Sequence, residues 1–312
     1  MRREGSPFQG LSAVMLKELS DHLVSARMRV LEWLVVLTAI AAVYAAITQV
    51  RDATAEDPFV FLRLFTTARD PLPSFVSFLG FLVPLMAIGL GFDAINGEHS
   101  RRTLSRILSQ PIYRDALLFG KFLAGIVTLS ISLTALWLLL IGLGLLMLGV
   151  PPSSAEIGRA LAFLAVTIAY AGVWLALAML LSVTFRSPAT AGLVTLGIWL
   201  FLTVIWPSLT PAIAQALVPP DQDATLLVTS QILARLSPST LFGETVLVLL
   251  HPTTRTLGPV YLSDLQGAVM GAPLPLLQSL LVAWPQIVGL LAATILLFVG
   301  GYVAFQRQEV RA

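Results

Sequence analysis

Apolar residues gather into six long runs along the chain, at about Val30–Val50, Ser74–Ile95, Phe122–Gly149, Ala160–Val183, Ala189–Trp206 and Trp284–Phe305. A helix needs roughly 20 apolar residues to cross the hydrocarbon core of a bilayer. Each run is near that length, and the pattern predicts an all-α membrane protein with six transmembrane helices. The third run is long enough to tilt or to pass beyond the interface. The sixth begins at Pro285, which predicts a bent start or a separate short helix around Leu274–Leu281.

Between the runs, two weaker patterns predict further helices. From Phe8 to Arg29, Leu11, Val14, Met15, Leu19, Leu23 and Val24 recur at helical spacing. Lys17, Glu18, Asp21 and His22 gather away from them, as in an amphipathic helix lying in the membrane interface. The alternative is a charged tail. Ser208–Pro275 is long, bounded by Pro-rich ends, and carries apolar helical stretches at Leu226–Leu236 and Thr240–Leu250. It reads as a small folded cap on the membrane domain rather than a linker.

Composition agrees. Of 312 residues, 57% are hydrophobic and 12% charged, with a mean hydropathy of +0.87. A soluble domain carries about a quarter charged residues, so lipid must cover part of this surface. There is no cysteine, which excludes disulfides, Cys-ligated metals and thiol catalysis. No cleavage site follows the first apolar run, so a cleavable signal peptide is not expected. Charge sets the orientation. Arg2, Arg3, Lys17, Arg27, Arg29, Arg101, Arg102, Arg106, Arg114, Lys121, Arg186, Arg307 and Arg311 fall on one side of a six-span layout, thirteen of the nineteen basic residues. The positive-inside rule places that side, with both termini, in the cytoplasm. The expected location is a bacterial inner membrane.

The spans themselves are nearly free of charge. Glu32 and Asp93 read as lying near the cytoplasmic ends. An ion-coupled carrier is expected to hold a midplane carboxylate, and no internal repeat suggests an inverted-repeat transporter. There is no G-x-x-x-x-G-K-[ST] loop. Gly120-Lys121 is the one Gly-Lys pair, with Asp115 and Phe122 where the loop needs Gly and Ser or Thr. Energy must come from a partner. His22, His99 and His251 have no metal-ligand spacing, and no catalytic pair lies within the spans, so neither a metal site nor an enzyme is expected. The six Trp fit interfacial anchoring. Gly142, Gly144, Gly149, Gly192 and Gly197 allow close helix contacts, such as a dimer seam.

The loop between the second and third spans carries the most specific pattern. Ser100 reads as an N-cap and Pro111 as a stop, with Leu104, Ile107 and Leu108 on one face and Arg101, Arg102, Ser105 and Arg106 on another. Glu98, Thr103-Leu104, Leu108-Ser109, Pro111-Ile112, Arg114 and Gly120-Lys121 resemble the cytoplasmic loop of ABC-2 type permeases, close to E-x-x-x-G-T-L-x-x-L-L-S-x-P-I-x-R followed by G-K. Arg102 departs from that pattern, standing at the usual glycine. Lys17-Glu18-Leu19 resembles the family's interfacial elbow helix. Ser237–Glu244, Leu249–Arg255 and Leu257–Pro259 resemble the outer loop of a subgroup that includes the permease of the nitrous-oxide-reductase maturation system.

The resemblance implies one transmembrane domain over residues 1–312. Its parts are an elbow (1–29), spans one to five (30–206), an extracytoplasmic loop (207–282), a sixth span (283–306) and a cytoplasmic tail (307–312). It implies a coupling helix, carried by Glu98, Arg101, Arg102, Thr103, Leu104, Ile107, Leu108, Ser109, Pro111, Arg114 and Lys121, docked on a separate cytoplasmic ATPase that binds ATP and Mg. A second permease copy and the lipid bilayer are the other implied partners, with no nucleic acid. Export is the implied activity. The alternative is a mechanotransmitter whose outer loop pulls on a periplasmic partner.

Overall fold

The computed structural model describes residues 10–50, 59–68, 73–100, 113–149, 151–219, 222–257 and 273–307, apart from the side chains of 45 and 48–50. Every regular element among them is helical. In chain order these are α1 (Leu11–Val24), α2 (Ala26–Val50), α3 (Val60–Thr66), α4 (Phe75–Gly91) and α5 (Asn96–Ser100). Then come α6 (Arg114–Leu148), α7 (Ser154–Thr184), α8 (Pro188–Leu217), α9 (Asp223–Ala234), α10 (Pro238–Leu250) and α11 (Leu276–Arg307).

Five of the helical stretches are long and apolar enough to cross a membrane, and the bent pair α9–α10 raises that to six if it counts as one broken span. They carry the second to sixth apolar runs, and the first run lies on α2. At 1.5 Å per residue, the 25 residues of α2 extend about 37 Å, more than a bilayer core of about 30 Å. The outer surface is apolar, as lipid contact requires: Leu146, Leu193 and Leu296 are 84%, 73% and 72% exposed. The most enclosed helix is α7, which packs against α4, α6, α8, α10 and α11. Gly91 lets α4 approach it closely, since a Cβ there would lie 2.7 Å from the Cβ of Ala178.

Prolines act differently from the sequence expectation. Pro207 and Pro211 do not end the fifth span, and α8 runs 30 residues through a π-helical turn at Phe201–Ile205. The carbonyl that Pro211 leaves without an N–H donor is Pro207 O, and Thr210 Oγ1 donates to it at 3.0 Å. Pro84 similarly deprives Gly80 O inside α4, and the hydroxyl of Tyr170 on α7 donates there at 3.0 Å. Pro285 lies inside a continuous α11, so neither a break nor a separate preceding helix is found.

The cap expectation is also revised. The two predicted helices exist as α9 and α10, bent by 109°. But α10 does not sit on top of the bundle. It runs beside α7, from Leu249 near Arg159 to Ser239 at Tyr170. Phe242 of α10 stacks on Tyr170 at 4.4 Å between ring centroids, and Thr203 of α8 meets Ser239 at 2.8 Å. Tyr170 thus joins α4, α7, α8 and α10 in one place. Tyr170→Phe keeps the stacking and strands Gly80 O. We expect a loss of about 1–3 kcal/mol, seen as a lower unfolding midpoint in detergent. Adding Pro84→Ala restores an N–H for Gly80 O and should recover most of it.

Candidate functional site

The charged groups of the described residues collect at the two ends of the bundle, with Glu32 as the exception. One end holds Lys17, Arg27, Arg114, Lys121 and Arg307 and is called the basic end here. The other, the far end, holds Arg63, Glu156, Arg159, Arg235 and Glu244.

At the basic end, α1 packs along the start of α6. Gly120 permits this, because a Cβ there would lie 2.8 Å from Val14 Cγ1. One turn of α1 further on, Glu18 reaches the next residue of α6. Lys121 Nζ donates to Glu18 Oε1 at 2.8 Å and to Glu98 Oε1 of α5 at 3.3 Å. The Lys121 side chain is only 4% exposed, so its ammonium is held between two carboxylates inside the protein. Lys17 closes the group from the solvent side, 2.9 Å from Glu18 and 3.0 Å from Asp21. The pairing explains why both members of Gly120-Lys121 are used: the glycine gives the approach, and the lysine gives the bond.

This corrects the expected polarity of α1. Glu18 is buried with Val14, while Leu16, Leu23 and Val24 are exposed. Helical periodicity placed Glu18 on the wet face, but its partner, 103 residues away, draws it inward. Burial alone raises a carboxyl pKa; here the charge and hydrogen bond of Lys121, with help from Lys17, more than offset it and hold Glu18 below its ordinary value. Lys17 is shifted the other way. Burial opposes its charge, but hydrogen bonds to Glu18 and Asp21 win and raise it. Burial lowers His22, against the pull of Glu18.

The start of the loop is anchored separately. Ser182 Oγ of α7 accepts from the backbone N–H of Ile95 at 3.0 Å and of Asn96 at 3.3 Å. Asn96 Nδ2 donates to Phe185 O at 3.2 Å. The helix that Ser100 was expected to cap lies outside the described residues. Ser100 is the last residue of α5, and the oxygen that caps this helix start comes from another helix. Arg27 pairs with Asp93 at 3.0 Å and lies over the Phe92 ring, joining the start of α2 to the end of α4. Arg114 opens α6, and Asp115 beside it accepts from Gln306 Nε2 of α11.

Of the expected coupling residues, the structure brings together Glu98 and Lys121, and places Arg114 at the head of α6. Arg101, Arg102, Thr103, Leu104, Ile107, Leu108, Ser109 and Pro111 lie outside the described residues. Sequence reasoning missed Glu18, Ser182 and Asn96 as members of this site. A lysine in the first turns of an apolar span was a usable signal that an acidic partner must lie near.

An all-helical chain with several long apolar helices, and its ion pairs confined mainly to the bundle ends, is a multi-pass membrane protein. The sequence model of the ABC-2 family of transporter proteins matches residues 12–310, and the chain belongs to that family. It is similar to a probable ABC transporter permease protein NosY of Pseudomonas aeruginosa, at 32% identity over 46% of this chain and 52% of the relative. It is similar also to the probable ABC transporter permease protein NosY of Stutzerimonas stutzeri, at 29% identity over 61% of this chain and 65% of the relative. The chain thus matches less than two thirds of the length of either relative.

Proposed function

We propose that this chain is the membrane-spanning permease subunit of an ABC transporter, driven by ATP hydrolysis on a separate cytoplasmic ATPase subunit and exporting across the bacterial inner membrane. In this reading α2 is the first span, α1 the elbow, and both termini are cytoplasmic. Residues 101–112 are the coupling helix that the ATPase grips, and two permease copies form the path between them. ATP and Mg belong to the ATPase, and this chain has no catalytic role.

The observation that carries the reading is the Glu18–Lys121–Glu98 group. Glu98 stands just before the proposed coupling helix and Lys121 just after it. Both are tied to α1 as well as to each other. A push on residues 101–112 is then delivered at once to the third span, to the elbow and, through Asn96 and Ser182, to the central helix α7. A partner can drive such a change only if its nucleotide states hold the loop differently. The relatives named as transporter permeases support transport over the purely mechanical alternative.

The test is co-purification with an ATPase subunit whose turnover depends on this chain. Leu104→Asp with Leu108→Asp places two carboxylates on the proposed docking face. Burying unpaired charge at an interface costs several kcal/mol, so chain-dependent ATP turnover should fall at least about tenfold while the chain still inserts and folds. Undiminished turnover would sink the coupling assignment.

A further inference from the structure

Glu32 lies in the second turn of α2, one turn past Arg29. Its Oε1 accepts from Ser132 Oγ of α6 at 2.8 Å. Ser132 is eleven residues past Lys121, about 16 Å further along α6, while on α2 Glu32 stands five residues past Arg27, which pairs with Asp93 at the basic end. The Glu32 carboxylate opens into a cleft between α2 and α6 of about 540 Å³, walled by Met86, Ile131, Leu133 and Leu136, with Trp33 at the rim. Trp33 is 66% exposed and faces outward from the bundle.

A carboxylate facing apolar walls gains from more polar partners than one hydroxyl. No Lys or Arg among the described residues is within ion-pair distance of it. Its second oxygen still has acceptor capacity. Among the described residues no cation pairs with it, and the cleft walls say what kind would fit. A single carboxylate with apolar surroundings is a poor site for a metal ion, which takes several oxygen ligands. An alkyl chain fits the walls, an ammonium fits the carboxylate, and the Trp33 ring adds a face that attracts cations.

We propose that this cleft binds an amphiphile bearing a primary ammonium group, taken from the lipid phase, with Glu32 as its counter-charge. The proposal concerns binding alone and does not rest on the ATPase-coupling reading.

The experiment uses the purified full chain in phosphatidylcholine nanodiscs. The probe is dodecylammonium brominated at its terminal carbon, which quenches nearby tryptophan. Saturable quenching is expected, and Trp33→Phe should remove most of the saturable part. Glu32→Gln is isosteric, and Ser132 can still donate to the amide oxygen, so the fold is retained. It should weaken binding at least about tenfold, the scale of a lost charge-assisted hydrogen bond. Ile131→Phe, which fills the cleft and leaves the charge in place, should abolish saturation. The matching bromododecanol should show only unsaturable partitioning. Equal binding by Glu32→Gln, saturation by the alcohol, or saturation in Ile131→Phe would each overturn the proposal and leave the cleft as a groove for hydrocarbon chains or a second copy.

Discussion

Lys121→Met is expected to be among the most damaging single substitutions at the basic end. It removes the buried ammonium between Glu18 and Glu98 and leaves both carboxylates close together, with the half-exposed Lys17 as the remaining cation beside them. Breaking a buried pair from one side costs about 3–5 kcal/mol, because the other charge stays behind unpaired. Lys17 softens this, so the lower end of that range is expected. The check is a double-mutant cycle read by denaturant or thermal midpoints in detergent. Glu18→Gln alone should cost less. In the Lys121→Met background it should recover part of the loss, since the stranded charge is then gone. Strict additivity of the two would mean that the contact carries no energy. The same cycle, read as chain-dependent ATP turnover, separates a stabilising contact from one that also transmits force.

The pair also has a signature in pH. Glu18 has a folded pKa held below its ordinary 4.5. Its contribution to stability is therefore complete above about 4.5 and is lost as pH falls through the lower folded value. In Lys121→Met the main lowering influence is gone and burial remains, which raises a carboxyl pKa. The Glu18 contribution should then flatten or reverse below pH 4.5. Repeating the comparison in a Glu18→Gln background separates it from Glu98, which also loses its ammonium in Lys121→Met.

The contrast between Lys121 and Glu18 shows what a sequence of this kind discloses. The apolar runs are legible because lipid imposes a length on each of them, and that length is local to the run. All six fall on helices. The lysine is legible too, as a charge in the first turns of a span, and so is the loop it belongs to. Its partner is not, because helical periodicity in α1 records only which face is apolar. The face that meets α6 is chosen by the close approach at Gly120 and by an ion pair across 103 residues. Pro211 was read as a loop boundary, and Pro84 drew no reading, for a related reason. A proline announces a missing donor in its own helix, but the replacement hydroxyl of Tyr170 comes from another helix, and that of Thr210 from a side chain beside it.

At the far end, Arg159→Met is the substitution expected to do most harm. Arg159 is 1% exposed. It donates to Leu249 O at 2.9 Å, to Ser279 Oγ at 3.1 Å, and to Leu274 O, and its guanidinium lies over the Phe59 ring at 5.8 Å. No carboxylate pairs with it among the described residues, so carbonyl dipoles and a ring stand in for a counter-ion. Two effects compete on removal. Losing a buried charge returns its desolvation cost, which favours the variant. Against this, Leu249 O and Leu274 O lose a charged donor in a place shut off from water, at about 1–3 kcal/mol each. Methionine fills the volume and supplies no donor. The second effect should win by about 2–4 kcal/mol, because the planar guanidinium meets three acceptors at once and nothing else nearby can. The lesion should be local. Arg159 fastens the end of α10 and the start of α11 to α7, so amide exchange should quicken over residues 246–250 and 276–280 and stay unchanged around Lys121. Arg159→Lys should recover less than half of the protection, since an ammonium on a shorter stem cannot reach both carbonyls and Ser279 together. Unaltered exchange in α10 would show that the Tyr170–Ser239–Phe242 contacts alone hold that helix in the bundle.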